Sequence, residues 1–505
     1  MKIFKPYFAK ARCFFLFSLT LTTFLTLQSC KKESLSAHQL AEIFTMEAFD
    51  FSSHSFTTGG VIINDGHYEI TSKGICWDTL PNPTTEKNKL EIQNNDKSFV
   101  SKLTGLNDGT RYYVRAYLTN ALETTYGNEI QVSTIKSIVY KGDLIIESQE
   151  ELDLIFKQDI SKINRNIALM YSANAESNIL SLEAMRSLAE VTGNFIIGNS
   201  GRLENLQGLN QLEKIGGDFI IFSNDELIDF SGLSSLKHIE KSLIVRKNDK
   251  LSSLEGLHNI ESIGRDLNLF YNKKIVTLAG LPDTFSISGS IMINSNPSLT
   301  HLEGLDGTKV IGNTLALTNN SQLNSLKGLD SIHTIGGSLQ IDNNDKLHSL
   351  KGLDQLESIG KDILLNDNAM LESIKDIDNL VNVGGSLKID FNPKLKNLQG
   401  LQGIHQIKGD LFIDFNDQFV DLKGLDSLKI INGSLNIVRN SKLKCLKGLN
   451  QIESIVSSVH IISNSSLIDY RALEKSIKNG MTMFDVYSNK FNPSLTQAQN
   501  GELKQ

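Results

Sequence analysis

Apolar residues along the last two thirds of the chain recur on one fixed pattern. Leu203, Leu206, Leu209, Leu212, Ile215, Phe219 and Ile221 return as Leu347, Leu350, Leu353, Leu356, Ile359, Ile363 and Leu365, spaced by three and then by two. A helical stripe would alternate spacings of three and four, so the pattern is not helical. The spacing of two predicts a strand, with Phe219 and Ile221 inward and Ile220 and Phe222 outward. The spacing of three reads as short extended segments separated by bends. Asparagine follows the same beat, at Asn224, Asn248, Asn272, Asn296, Asn320, Asn344, Asn368, Asn392, Asn416, Asn440 and Asn464, every twenty-fourth position. Glycine does so too, from Gly208 to Gly448, broken only by Asp376. The unit is LxxLxGLxxLxxIxG(D/S)LxIxxNxx, with no insertion across 240 residues.

Each unit predicts one coil of a solenoid, neighbours stacking about 4.8 Å apart on a parallel sheet. Eleven or twelve such coils predict a rod of roughly 50 to 60 Å. The asparagines are expected to bond the backbone and their stacked equivalents. The glycines supply a tight turn that a Cβ would resist, so Asp376 should mark the most distorted turn. Solenoid ends need caps. At one end, Gly142 to Ile146 reads as a first strand, and Ser148 to Lys157 as a helix with Ser148 and Glu151 in capping-box spacing. At the other, Arg471 to Asn479 reads as a cap helix before a loose tail.

Ahead of the repeat the period changes. From about Ala37 to Thr134, short β-branched and aromatic runs alternate with turn signals such as Asn64-Asp65-Gly66 and Asn107-Asp108-Gly109. This predicts a β-sandwich of about a hundred residues with Trp77, the only tryptophan, in its core. Cys76 beside it reads as a buried, inert thiol, with no His or second Cys nearby in sequence. The first thirty residues read as an export signal: Lys2, Lys5, Lys10 and Arg12, then an uncharged run that closes on Cys30. An uncleaved membrane anchor is the alternative, but the run falls short of the ~20 apolar residues a span needs.

Composition narrows the function. The 505 residues carry a net charge of −7, which argues against a nucleic-acid partner. Four cysteines, at 13, 30, 76 and 445, are too scattered for a disulfide framework or a metal knuckle. No GxSxG, HExxH, P-loop, CxxC pair or calcium-binding nonapeptide is present, so no catalytic residue, metal or cofactor is expected. The best binding candidate is the outward side of the strand sheet, just before the asparagines. There lie Phe222, Phe270, Tyr271, Asp342, Asp390, Phe391, Asp414 and Phe415, with Lys388 placed to neutralise Asp390. Aromatics beside carboxylates suit a protein segment or a glycan.

Three segments resemble known families. Leu27-Gln28-Ser29-Cys30 resembles the bacterial lipobox, which implies lipidation of Cys30 and an outer-membrane lipoprotein of Bacteroidetes type, on the surface or the periplasmic face. GICWDT followed by LTGLNDGTRYYVRAYLTN and TTYGNEIQVST is similar to the fibronectin type III-like modules of bacterial surface lipoproteins. LEGLHNIESIGRDLNLFYNKKI and LKGLDSIHTIGGSLQIDNNDKL resemble receptor L-domain repeats, which implies a leucine-rich, right-handed β-helix. The expected organisation is a signal peptide (1–29), a tether (30–36), the sandwich (37–136), the solenoid (140–490, caps about 140–160 and 470–490) and a tail (491–505). The expected function is non-enzymatic: a lipid-anchored envelope protein whose solenoid binds a protein or glycan. A carbohydrate-active β-helix enzyme and a purely structural spacer are the alternatives.

Overall fold

A computed structural model describes residues 40–94, 96–136, 138–170 and 178–505; the export segment, the tether and Cys30 lie outside the described residues. No helix among the described residues is long and apolar enough to cross a membrane. The chain is mainly β, with two antiparallel sheets at its N-terminal end and one parallel solenoid behind them.

The solenoid is organised on a parallel sheet of 15 strands, running from Leu144–Ile146 to Phe484–Tyr487. Fifteen strands make about fourteen turns, a sheet of roughly 67 Å at ~4.8 Å per step. It is therefore longer than the repeat count predicts. Strand registers pair Leu144 with Ile167, Ile167 with Phe195 and Val459 with Phe484, steps of 23, 28 and 25 residues that a search at period 24 does not see. Between Phe195 and Val459 every step is 24, and the inward residues of each four-residue strand are fully buried. A second set of strands, two residues long except for Ile138–Lys141 and Ile160–Asn164, lines another side, broken into sheets of seven, four and three strands.

The apolar spacing of three has a different origin from the one expected. Leu353 N–H donates to Leu350 O and Leu356 N–H to Leu353 O, both at 3.0 Å. These are successive i→i+3 turns, whose period of three returns the leucines to one side. They are not extended segments.

The asparagine column is a continuous buried ladder. Asn344 accepts from Asn320 N–H at 3.1 Å, and its Nδ2 donates to Leu317 O at 2.8 Å and to Asp342 O at 3.1 Å. All eleven asparagines are fully buried. The ladder begins at Ser200, whose N–H donates to Asn224 Oδ1, and ends at Asn489, which accepts from Asn464 N–H at 2.8 Å.

The glycine column is required twice over. Gly352 has φ +112°, and a Cβ there would lie 2.4 Å from Leu326 O of the preceding coil. Where the column lacks glycine the turn changes type. Asp376 sits in a 3-10 helix, Lys375–Ile377, and the equivalent Ala184 and Ala472 sit in Glu183–Met185 and Arg471–Leu473. Asp376 is thus one of three rearranged turns, and the second strand set breaks between Asn382–Val383 and Gln406–Ile407, directly after it.

Both ends are capped. Ser148 Oγ caps α1 (Gln149–Phe156) by accepting from Glu151 N–H, and Leu152 and Phe156 join the core. At the far end Arg471–Leu473 runs into α2 (Glu474–Lys478). The expected loose tail is instead structured: α3 (Leu495–Gln499) carries a full capping box, Ala498 and Leu503 are buried, and Tyr470 Oη donates to Phe491 O at 2.8 Å. Without these groups the apolar interior of the last coil would meet water.

The N-terminal sheets hold three strands (Glu42–Thr45, Phe56–Asn64, Ser98–Leu103) and five strands centred on Ile70–Asp78 and Arg111–Asn120. Both sheets contribute to one apolar cluster that includes Phe56, Ile75, Phe99 and Val114. Trp77 is only half-buried: it shares the inward face with Ile75, two residues before it, but packs at the edge of the cluster near the end of its strand. Cys76 is fully buried, and desolvation pushes its thiol up to about 11, the inert state expected. Gln211 Nε2 donates to Asp50 Oδ1 at 2.8 Å, one link between this part and the solenoid.

Candidate binding groove

Each long strand ends one residue before a left-handed position, which is followed by the ladder asparagine. From Asn199 to Ser463 that position has φ between 52° and 60° in every coil, and none of its occupants is glycine. Tyr271, Phe391 and Phe415 are among them. A left-handed conformation costs a bulky residue roughly 1 to 2 kcal/mol. It throws the side chain out of the coil, which is why these aromatics are available at the surface.

The eight residues of the predicted face do not form one site. Phe222 is half-buried: its ring packs on Gly198, where a Cβ would lie 2.3 Å from it, and the Arg246 guanidinium sits 5.0 Å from its centroid. Phe270 is half-buried and Tyr271 is 53% exposed, three coils or ~14 Å of stacking from Asp342. The other five gather between coils 342 and 415. Asp342, Phe391 and Phe415 line a groove of about 680 Å³, together with Asn319, Asn343, Asp345, Asp367, Ala369, Pro393 and Asp417. Asp390 and Asp414 stand beside it on paired strand ends.

The groove's electrostatics are one-sided. Asp342, Asp345, Asp367 and Asp417 line it, and no Lys or Arg does. Among the described residues none of these four has a cation within 4.0 Å. Burial raises the carboxyl of Asp342, and the charge of Asp367 adds to it. Burial also raises Asp390, whose Oδ2 is held by Lys388 Nζ at 3.1 Å, while its Oδ1 is buried without a hydrogen-bond partner. Asp414 is pushed up to about 6 by burial and then by the charge of Asp390. It accepts from Val438 N–H at 2.9 Å.

The aromatic part is equally defined. Phe391 and Phe415 stack at 4.2 Å between centroids with 14° between planes, and the Arg439 guanidinium lies 5.0 Å from the Phe415 ring. Phe391 remains 44% exposed.

Other columns of the repeat place carboxylates differently: Asp306, Asp330 and Asp354 fall on successive coils, each accepting from the N–H of the glycine two residues before it. The D/S position of the consensus forms a second ladder, in which Ser242 N–H donates to Asp218 Oδ1 and Asp266 N–H to Ser242 Oγ, and so on through Ser290, Thr314, Ser338, Asp362, Ser386, Asp410 and Ser434. No two Asp are adjacent in it between Asp218 and Ser434. The alternation was visible in the sequence, but its meaning was not, because each acceptor serves the backbone of the next coil. Carboxylates are kept two coils apart there and packed side by side at the groove.

No group of three or more His, Cys, Asp or Glu among the described residues could hold a metal ion. Cys445 is a free, half-buried thiol bridged through its backbone to Asp469. No family model matches the chain, and no curated protein matches it.

Proposed function

We propose that this chain is a non-enzymatic envelope protein, lipid-anchored through Cys30, whose solenoid presents the groove at Asp342, Phe391 and Phe415 to a protein or glycan partner. The N-terminal sheets act in this reading as a fibronectin type III-like stalk, and the solenoid is a right-handed coil of the receptor L-domain kind. One observation carries the proposal: a groove lined by four carboxylates with no cationic partner borders an exposed aromatic stack. Exposed apolar surface rimmed by polar groups is a mark of interaction sites.

The rival reading as a carbohydrate-active enzyme has one point in its favour, the raised Asp414 next to a second carboxyl. It is weakened by Asp390, which is 5% exposed and tied to Lys388, so it cannot reach a substrate as nucleophile or base. Capture of a partner from solubilised envelope, compared between the native chain and a Phe391→Ala/Phe415→Ala variant, tests the site. Equal capture by both would discard it. Release of oligosaccharides by the purified protein would favour the enzyme.

A further inference from the structure

The identity of the groove's ligand can be taken further, on the premise that the groove binds. We propose that it takes a short arginine-bearing segment of a partner protein, with a guanidinium seated on the open face of Phe391 beside Asp367.

The geometry of the stack comes first. Asp367, Phe391, Phe415 and Arg439 occupy the left-handed position of four successive coils. Coils stack in order, so Phe391 and Arg439 lie on opposite sides of Phe415, and both faces of that ring are covered. Phe391 has one face on Phe415 and the other toward the coil of Asp367. The molecule fills two such ring faces itself, each time with a guanidinium at 5.0 Å: Arg246 on Phe222 and Arg439 on Phe415. Arginine is the cation best suited to that face, since its planar group stacks while its N–H donors reach neighbouring carboxylates.

Ring orientation also argues against a sugar. A pyranose stacks on a flat aromatic face, but these rings stack on each other along the coil direction. A glycan lying along the groove would meet ring edges.

Charge is the independent observation. The four lining carboxylates have no cationic partner, and Asp367 raises the protonation of both Asp342 and Asp390 by repulsion. The Asp/Ser ladder keeps its carboxylates at least two coils apart, and where Asp306, Asp330 and Asp354 do fall on successive coils each accepts from a glycine N–H. Asp390 and Asp414 are adjacent beside the aromatic stack, and there Asp390 Oδ1 is buried without a hydrogen-bond partner. A bound cation relieves the repulsion; a neutral sugar does not. From Asn319 to Phe415 the groove spans four coil steps, ~19 Å, the length of an extended segment of about six residues.

The test uses the full chain and fluorescein-labelled acetyl-Arg-Ser-Arg-Ser-Arg-amide, followed by fluorescence anisotropy. Saturable binding is expected, weakening as salt rises and lost when citrulline, neutral and nearly the same shape, replaces arginine. Asp367→Asn and Phe391→Asn should each weaken it at least tenfold. Asparagine suits the left-handed backbone, so Phe391→Asn should keep the native circular-dichroism melt. Asp225→Asn, at the same coil position as Asp345 but outside the groove, should bind as the native chain does. Equal binding of the citrulline peptide, or native affinity in both groove variants, would overturn the proposal. Cellohexaose and chitohexaose are titrated in parallel. Sugar binding that depends on Phe391, without peptide binding, would overturn the arginine ligand and leave the groove as a site; binding of neither would overturn both.

Discussion

A buried asparagine in every coil is a costly choice unless each of its polar atoms is paired, and here the pairing is what links one coil to the next. Replacing Asn344 by Ala would strand Asn320 N–H and Leu317 C=O inside the core. Orphaned buried groups cost about 1 to 3 kcal/mol each, so a loss of roughly 2 to 5 kcal/mol is expected from urea unfolding. Gly352→Ala acts on the backbone instead. It places a Cβ against Leu326 O at a φ that side chains avoid, and about 1 to 3 kcal/mol is expected unless that turn converts to the 3-10 form of the Ala184 and Ala472 coils. Asp414 gives the pH-dependent case. Its folded pKa, about 6, lies above the ordinary 3.8, so the folded state holds the proton more tightly than the unfolded chain. Its ionised form therefore subtracts stability, beginning as pH rises past 3.8 and in full above about 6. Asp414→Asn keeps an oxygen for Val438 N–H, and solvent screens the half-exposed carboxyl. A gain of about 1 kcal/mol at pH 7.5 and almost none at pH 3.5 is expected from thermal unfolding at the two pH values. The asparagine and glycine columns were readable from sequence because the residue type itself is what the position needs. The burial of Asp390 was not, since an outward strand position next to Phe391 gives no sign that its neighbours close over it.

Elements that end the solenoid differ from those that repeat within it. The strand Phe484–Tyr487 follows a step of 25 residues, and α3 folds back so that Leu503 reaches the core. Coil-to-coil periodicity was therefore legible from Phe195 to Val459 and failed at both ends, where a cap must break the pattern to turn polar atoms outward. The predicted face was read in the same way. Of the eight positions Asp390 is buried and the others keep some surface, and which of them share a groove depends on how side chains lean across coils, which separates Phe222 and Phe270 from the Phe391 group. The C-terminal cap makes a testable element. Truncation after Met483 removes Asn489 Oδ1 from Asn464 N–H and Phe491 O from Tyr470 Oη. Amide protection in the Val459–Ile462 strand should then collapse in hydrogen exchange, while coils ahead of Asn416 keep theirs, because each coil contacts only its neighbours. Unchanged protection at Val459–Ile462 would show that the tail is not a cap.

At the scale of the whole molecule the solenoid is a one-dimensional stack, so its length is adjustable in units of one coil. Removing residues 225–248 joins Asn224 to Asp249, and the ladder closes from Asn224 to Asn272 with every inward residue in register. A deletion of any other length near this would slip the strands and turn apolar side chains outward. Yet one coil is not the natural unit of charge. Deleting 225–248 removes Ser242 and brings Asp218 next to Asp266, about 4.8 Å away, at a position where those two are normally held two coils apart. Deleting two coils, 225–272, brings Asp218 next to Ser290 and restores the alternation. Both shortened chains should fold, their scattering envelopes reduced by about 5 and 10 Å. The stability of the one-coil deletion relative to the two-coil deletion should fall by about 1 kcal/mol between pH 3 and pH 7, for two like charges on facing positions. Near pH 3 protonation removes the repulsion, and the longer stack keeps the full advantage of its extra buried surface. If the difference between the two shortened chains is the same at both pH values, the Asp/Ser alternation has no electrostatic role and only the hydrogen bonds of that ladder count.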